Sequence, residues 1–144
     1  MATQATAMET HMAQAQATDL SKARLIVGGI LKTLIVLFLV MDGVMKLFKP
    51  PFVVQATIQL GYPESTIVGI GVALLFGTAL YVIPRTAVVG AILLTGYLGG
   101  AVASNVRAVT PVFNAVFPIL MGVAVWAALV LRNKRLGGML FGTE

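Results

Sequence analysis

The chain has 144 residues, 58% of them hydrophobic and only 10% charged, with a mean hydropathy of +0.96 and a net charge of +5. A soluble domain carries roughly a quarter charged residues, and so little polar surface would not cover a core of this size in water. The composition predicts an integral membrane protein with room for about four spans of ~20 residues.

The residues that are scarce exclude whole chemistries. There is no cysteine, hence no disulfide, thiol exchange, iron–sulfur cluster or cysteine nucleophile. The single histidine, His11, lies in a polar N-terminal stretch, so no haem sits between two membrane histidines and no histidine metal site lies within the spans. Glu9 and Asp19 share that stretch and Glu144 is the last residue, which leaves too few carboxylates for a metal cage. The positive residues flank apolar runs instead of clustering among aromatics. That pattern predicts contact with membrane lipids and control of topology, and no nucleic acid partner.

Residues 1–21 are rich in Ala, Thr, Gln and Met without hydrophobic periodicity and are expected to form a disordered polar tail, lacking the positive start and apolar run of a signal peptide. A four-span domain follows over residues 22–136. Span one covers residues 23–48, flanked by Lys22 and Arg24 and ended by Pro50-Pro51, which cannot continue a helix. The next run, FVVQATIQL, is too short to cross. Phe52, Val53, Ala56 and Leu60 share one face and Gln55 and Gln59 the other, predicting a short interfacial helix stopped at Gly61.

Span two covers residues 66–83, with Ser65 or Thr66 as N-cap. Pro84-Arg85 permits only a tight turn, so span three, residues 86–106, is its antiparallel neighbour. Span four, residues 112–131, contains Pro118; a helix starting there would be too short to cross, which favours a kinked helix from near Pro111. Residues 137–144 are a short C-terminal tail. The expected fold is all-α, an integral membrane four-helix bundle with a short interfacial helix between spans one and two. Lys22, Arg24, Arg85, Arg132, Lys134 and Arg135 lie on one side and Lys46, Lys49 and Arg107 on the other; six positives against three place both termini in the cytoplasm. Lys32, inside span one, either snorkels to headgroups or turns to a partner.

Lipid gives helices no hydrophobic reason to associate, so small residues must let them approach. Gly69, Ala73 and Gly77 form a stripe on span two, and Gly96, Gly100 and Ser104 form one on span three. These stripes admit two readings, packing within one bundle and a homo-oligomer interface. Ionisable residues within spans are costly and therefore informative. Asp42 and Lys46 are four apart, acid first, the favourable order on a helix, near the side opposite the termini. Asn105 and Arg107 lie at the same level. Asp42, Lys46 and Arg107 converge if spans one and three are close, either as a structural lock on the rim or as the polar end of a pocket for a lipid headgroup or a quinone. Catalysis is disfavoured, with no nucleophile or second carboxylate nearby. Tyr97, mid-span, is expected to give its hydroxyl to a backbone carbonyl.

The stretches MDGVMKLFKP, LGYPEST and YVIPRTAVVGAILLTGYLGGAVASNVR resemble the DoxX-like family of small four-span bacterial membrane proteins, over about residues 24–132. The resemblance implies a four-helix bundle in a bacterial inner membrane. It also implies polar family positions at Asp42, Lys46 and Arg107, with Asn105 standing where members often carry His, which removes a titratable group. The expected function is a non-catalytic accessory subunit of a membrane complex, associated with other membrane subunits and binding lipid or quinone but no haem, iron–sulfur or metal cofactor. The alternatives are the membrane subunit of a quinone-linked oxidoreductase and, less favoured, a small proton-coupled exporter relying on Asp42.

Overall fold

The computed structural model describes residues 2–142 and contains no strand among them. Its helices are α1 (Ala2–Phe48), α2 (Pro51–Gln59), α3 (Ile67–Val82), α4 (Ala87–Arg107), α5 (Val112–Arg132) and α6 (Lys134–Phe141). Four of them, α1, α3, α4 and α5, are long and apolar enough to cross a membrane. They pack as a ring, α1 on α3, α3 on α4, α4 on α5 and α5 back on α1, which leaves α1 diagonal to α4 and α3 diagonal to α5. Leu34, Leu37, Phe76, Ile92 and Leu120 all point outward, as expected where the solvent is lipid and each helix satisfies its own backbone.

Two terminal stretches differ from expectation. Helix α1 is continuous over 47 residues, about 70 Å at ~1.5 Å per residue, so the expected disordered tail is a helical extension of span one. Residues 6–20 are all exposed, and no packing explains their order. Ala, Gln and Met are good helix formers, and lengthening an existing helix avoids the cost of a new nucleus. At the other end, most of the expected tail belongs to α6. Asn133 caps it, its Oδ1 accepting from the Leu136 amide at 3.3 Å, and Leu136 is buried. Met1, Thr143 and Glu144 lie outside the described residues.

The core fills the half of the bundle nearer the termini. Leu74, Tyr81, Leu94 and Val125 are almost fully buried there, and Leu39, equally buried, stands where the core meets the hollow half. Tyr81 spans the diagonal, its hydroxyl donating to the Val125 carbonyl at 2.8 Å. Helix α5 runs unbroken through Pro118.

Only part of the two predicted small-residue stripes makes close helix contacts. At Gly77 a Cβ would sit 3.4 Å from Leu94 Cδ2, and Ser104 is buried, but Gly69 and Ala73 face outward, and a Cβ at Gly69, Gly96 or Gly100 would meet nothing within 4 Å. The tight crossings are elsewhere. A Cβ at Gly71 would stand 3.0 Å from the Gly43 carbonyl, locking α1 to α3, and one at Gly90 would overlap the Tyr81 backbone, where the short turn presses α3 against α4. We expect Gly90→Ala to lower unfolding stability in detergent by about 3 kcal/mol, since the backbone itself must move. Gly96→Ala, the same change made into open space, should cause no loss; thermal unfolding of both variants checks the pair.

Candidate functional site

The half of the bundle away from the termini is hollow. Beneath α2, between α1, α4 and α5, lies a cavity of about 440 Å³. Asp42, Lys46 and Phe38 line it from α1, Thr57 from α2 and Leu60 just beyond it, Ile70 from α3, Gly96, Tyr97 and Gly100 from α4, and Phe117, Pro118 and Met121 from α5. Gly96 and Gly100, one helical turn apart, leave gaps in the α4 wall beside Tyr97, so these two glycines border the space without meeting a neighbouring helix. Phe38 and Phe117 close the α1–α5 wall, edge to face at 5.3 Å.

Asp42 and Lys46 form an ion pair one turn apart on α1, with Nζ 2.5 Å from Oδ1 and Lys46 the more buried partner at 16% exposure. The hydroxyls around them are mostly committed. Ser104 donates to the Gly100 carbonyl at 2.8 Å, so the Tyr62 hydroxyl, 2.7 Å away, must donate to Ser104 Oγ. Thr57 donates to the Val53 carbonyl at 2.8 Å. Tyr97 is the exception: its hydroxyl does not reach the backbone carbonyl expected for it and has no hydrogen-bond partner among the described residues.

Helix α2 roofs the cavity. Its inward side is Thr57 and Leu60, with Val53 and Val54 half-buried, while Phe52 and Ala56 are exposed. This is not the face expected from the apolar grouping, because an interfacial helix also offers apolar side chains to the membrane. Gly61, at φ +83°, closes the helix through its amide to Ile58 O (2.8 Å) and the Tyr62 amide to Thr57 O (3.2 Å). Arg107 meets a further carbonyl of this turn: its Nη2 donates to Leu60 O at 2.8 Å, with the guanidinium 5.8 Å from the Tyr62 ring centroid. A cation at a helix C-terminus complements its dipole. Lys49 and Glu64, 3.4 Å apart, fasten the same corner.

Of the residues predicted to gather, then, the structure joins Asp42 and Lys46 within the cavity and puts Arg107 on its roof. Asn105 stands apart, donating to Ala101 O and accepting from the Thr110 hydroxyl, both at 2.9 Å, which pins the α4–α5 corner. Asp42 and Arg107 do not meet, because α1 and α4 are diagonal. Tyr62, Thr57 and Phe117 were not legible as site residues. Tyr97 carried one signal, an aromatic among Gly96, Gly99 and Gly100 on a span, where a ring stands beside vacant space. A second hollow, an apolar groove between α4 and α5, is open to lipid and is bordered by Trp126, whose Nε1 donates to Thr95 Oγ1 at 2.9 Å.

Four membrane-crossing helices around a half-filled interior define a small multi-pass integral membrane protein. The family model described as the DoxX-like family matches residues 30–128, and the chain belongs to that family. Comparisons with curated proteins and with solved structures found no match.

Three substitutions test these assignments. Asp42→Asn should lower unfolding stability by about 2 kcal/mol, somewhat less than the ~3–5 of a fully buried pair, because Lys46 keeps its charge without a partner. Asp42→Asn with Lys46→Met should recover most of that loss. At the α4–α5 corner, Val109 holds φ +52°, a left-handed conformation costly for a β-branched residue. Val109→Gly should stabilise the protein by about 1 kcal/mol, read from the shift of its thermal unfolding.

Proposed function

We propose that this protein is a non-catalytic accessory subunit of a membrane complex, and that the cavity beneath α2 holds an amphipathic molecule, a lipid or a quinone. The observation that carries the reading is the cavity's composition. Its walls are apolar and aromatic, and a few polar groups converge at one end, the usual make-up of a small-molecule site. Phe38, Phe117, Met121 and the glycine face of α4 suit a tail or a ring; Asp42, Lys46 and Tyr97 suit a polar head.

The same inventory argues against turnover by this chain alone. The carboxylate in the cavity is bound to Lys46, and the Ser104 hydroxyl is engaged by Gly100 and Tyr62 with no base beside it, so neither serves as an activated acid, base or nucleophile. Electron transfer would require a partner carrying the redox centre. With both termini in the cytoplasm of a bacterial inner membrane, as the charge asymmetry favours, the cavity faces the opposite leaflet.

Extraction in mild detergent followed by native mass spectrometry tests both parts. We expect one small amphipathic molecule per chain and a co-purifying protein partner. Gly100→Leu places a side chain in the open space of the cavity; it should abolish small-molecule retention while leaving the unfolding temperature of the ligand-free protein unchanged. Equal retention by wild type and Gly100→Leu would overturn the cavity assignment. A solitary particle would overturn the subunit assignment.

A further inference from the structure

We infer that the cavity selects an uncharged, carbonyl-bearing amphiphile and discriminates against anionic phospholipid. This rests on the cavity reading above and adds the charge and hydrogen-bonding character of the occupant.

The charge argument comes first. Among the residues that line the cavity, Asp42 and Lys46 are the ionised ones, and their contact makes the site neutral. An anionic head drawn to Lys46 meets the Asp42 carboxylate beside it, and a cationic head drawn to Asp42 meets the Lys46 ammonium. Neither finds an uncommitted counter-charge, and a charge taken out of water without one is strongly disfavoured. The other cations at this level are also in use: Arg107 on the Leu60 carbonyl and the Tyr62 ring, Lys49 on Glu64.

The hydrogen-bond inventory then defines the head. No buried side-chain nitrogen or oxygen among the described residues lacks a partner. The unpartnered Tyr97 hydroxyl is therefore open to space, and the space it lines is this cavity. Lys46 has three N–H donors and spends one on Asp42 Oδ1. The free donors are thus the Tyr97 O–H and two Lys46 N–H, while Thr57 and Tyr62 have spent their O–H donors and keep acceptor lone pairs beside the free carboxylate oxygen of Asp42. Three free donors in a neutral set complement a neutral head with carbonyl acceptors, such as an ester, ketone or quinonoid carbonyl, and the remaining acceptors take any hydroxyl it carries.

The test uses the full chain, delipidated in a glycoside detergent and titrated with three probes: 1-oleoylglycerol, a decyl-substituted benzoquinone and dioleoylphosphatidylglycerol. Native mass spectrometry reads the affinity of each for wild type, Tyr97→Phe and Gly100→Leu. The two neutral carbonyl probes should bind at least tenfold more tightly than phosphatidylglycerol. Tyr97→Phe keeps the ring and breaks no bond within the protein, so its unfolding temperature should match wild type. It should weaken the carbonyl probes about tenfold, the worth of one hydrogen bond. Carbonyl binding unaffected by Tyr97→Phe, or phosphatidylglycerol binding as tight as the neutral probes yet lost in Gly100→Leu, would overturn the inference and leave the cavity reading standing. Failure of all three probes, or binding that Gly100→Leu does not disturb, would overturn both.

Discussion

A carbonyl left without a partner inside a bilayer has no water to turn to, and the last turn of every helix ends in such carbonyls. In this bundle several are met by cations from neighbouring segments. Arg24 on α1 donates to Val130 O at 3.1 Å, in the last turn of α5, and Lys32 on α1 donates to Val82 O at 3.3 Å, the final residue of α3. Arg107 on α4 does the same for α2. Each contact gives a helix-end carbonyl a cationic donor (Val130 O also accepts from the Asn133 amide at 3.3 Å), complements a helix dipole and fixes how far one helix is slid along another. Lys32, which a hydropathy reading leaves ambiguous, also lies 4.8 Å from the Tyr81 ring centroid. Lys32, Tyr81 and Val125 thereby tie α1, α3 and α5 together at one level.

Once those registers are set, the glycines fall into two populations with opposite consequences. Gly43, Gly71 and Gly90 face backbone or side chains of a neighbouring helix at distances no Cβ would tolerate, whereas Gly96 and Gly100 face nothing. Gly90 closes α3 on α4 beside Tyr81 and the solid core, while Gly43 and Gly71 close α1 on α3 at the level of Asp42 and Lys46. Across the diagonal from that α1–α3 contact, Gly96 and Gly100 leave α4 thin beside Tyr97, and the volume there is not filled by protein. The same residue type closes one pair of helices and opens the space beside another.

This explains how much of the molecule the sequence discloses. Helix ends were legible because they are local: Pro50-Pro51 stops α1 after Phe48, and Pro84-Arg85 separates Val82 from Ala87. The pairing of Asp42 with Lys46 was legible because helical spacing alone brings them together. The joining of Arg107 to that pair was not, since it depended on which helices are neighbours, and the ring order sets α1 and α4 apart. Arg107 and Asn105 stand at the predicted level yet serve the roof and the corner, tasks defined by the Gly61 and Val109 turns. Which face a glycine stripe presents is likewise a property of the assembled bundle. The N-terminal extension misled for another reason. Polar composition argues against a packed core, and residues 6–20 are indeed all exposed, but a helix already nucleated by a span continues through Ala- and Gln-rich sequence without needing one.

The hollow itself is the feature that most requires a counterweight. Side chains bordering unfilled volume lose dispersion contacts on that side, and this space, about 440 Å³ and partly open to its surroundings, has a largely apolar lining. Water offsets such a cost in polar cavities, where it finds two to four partners; here the walls are aromatic and aliphatic, with polar groups at one end only. An occupant that is apolar along most of its length and polar at its tip restores the lost dispersion contacts and reaches the free donors at once. The clamp of Arg107, Tyr62 and the Lys49–Glu64 pair on α2 acts in the same direction, because a roof held from its C-terminus keeps the space from collapsing onto Gly96 and Gly100 of α4. On the function proposed above, a space braced against closure is one whose stability is coupled to what fills it.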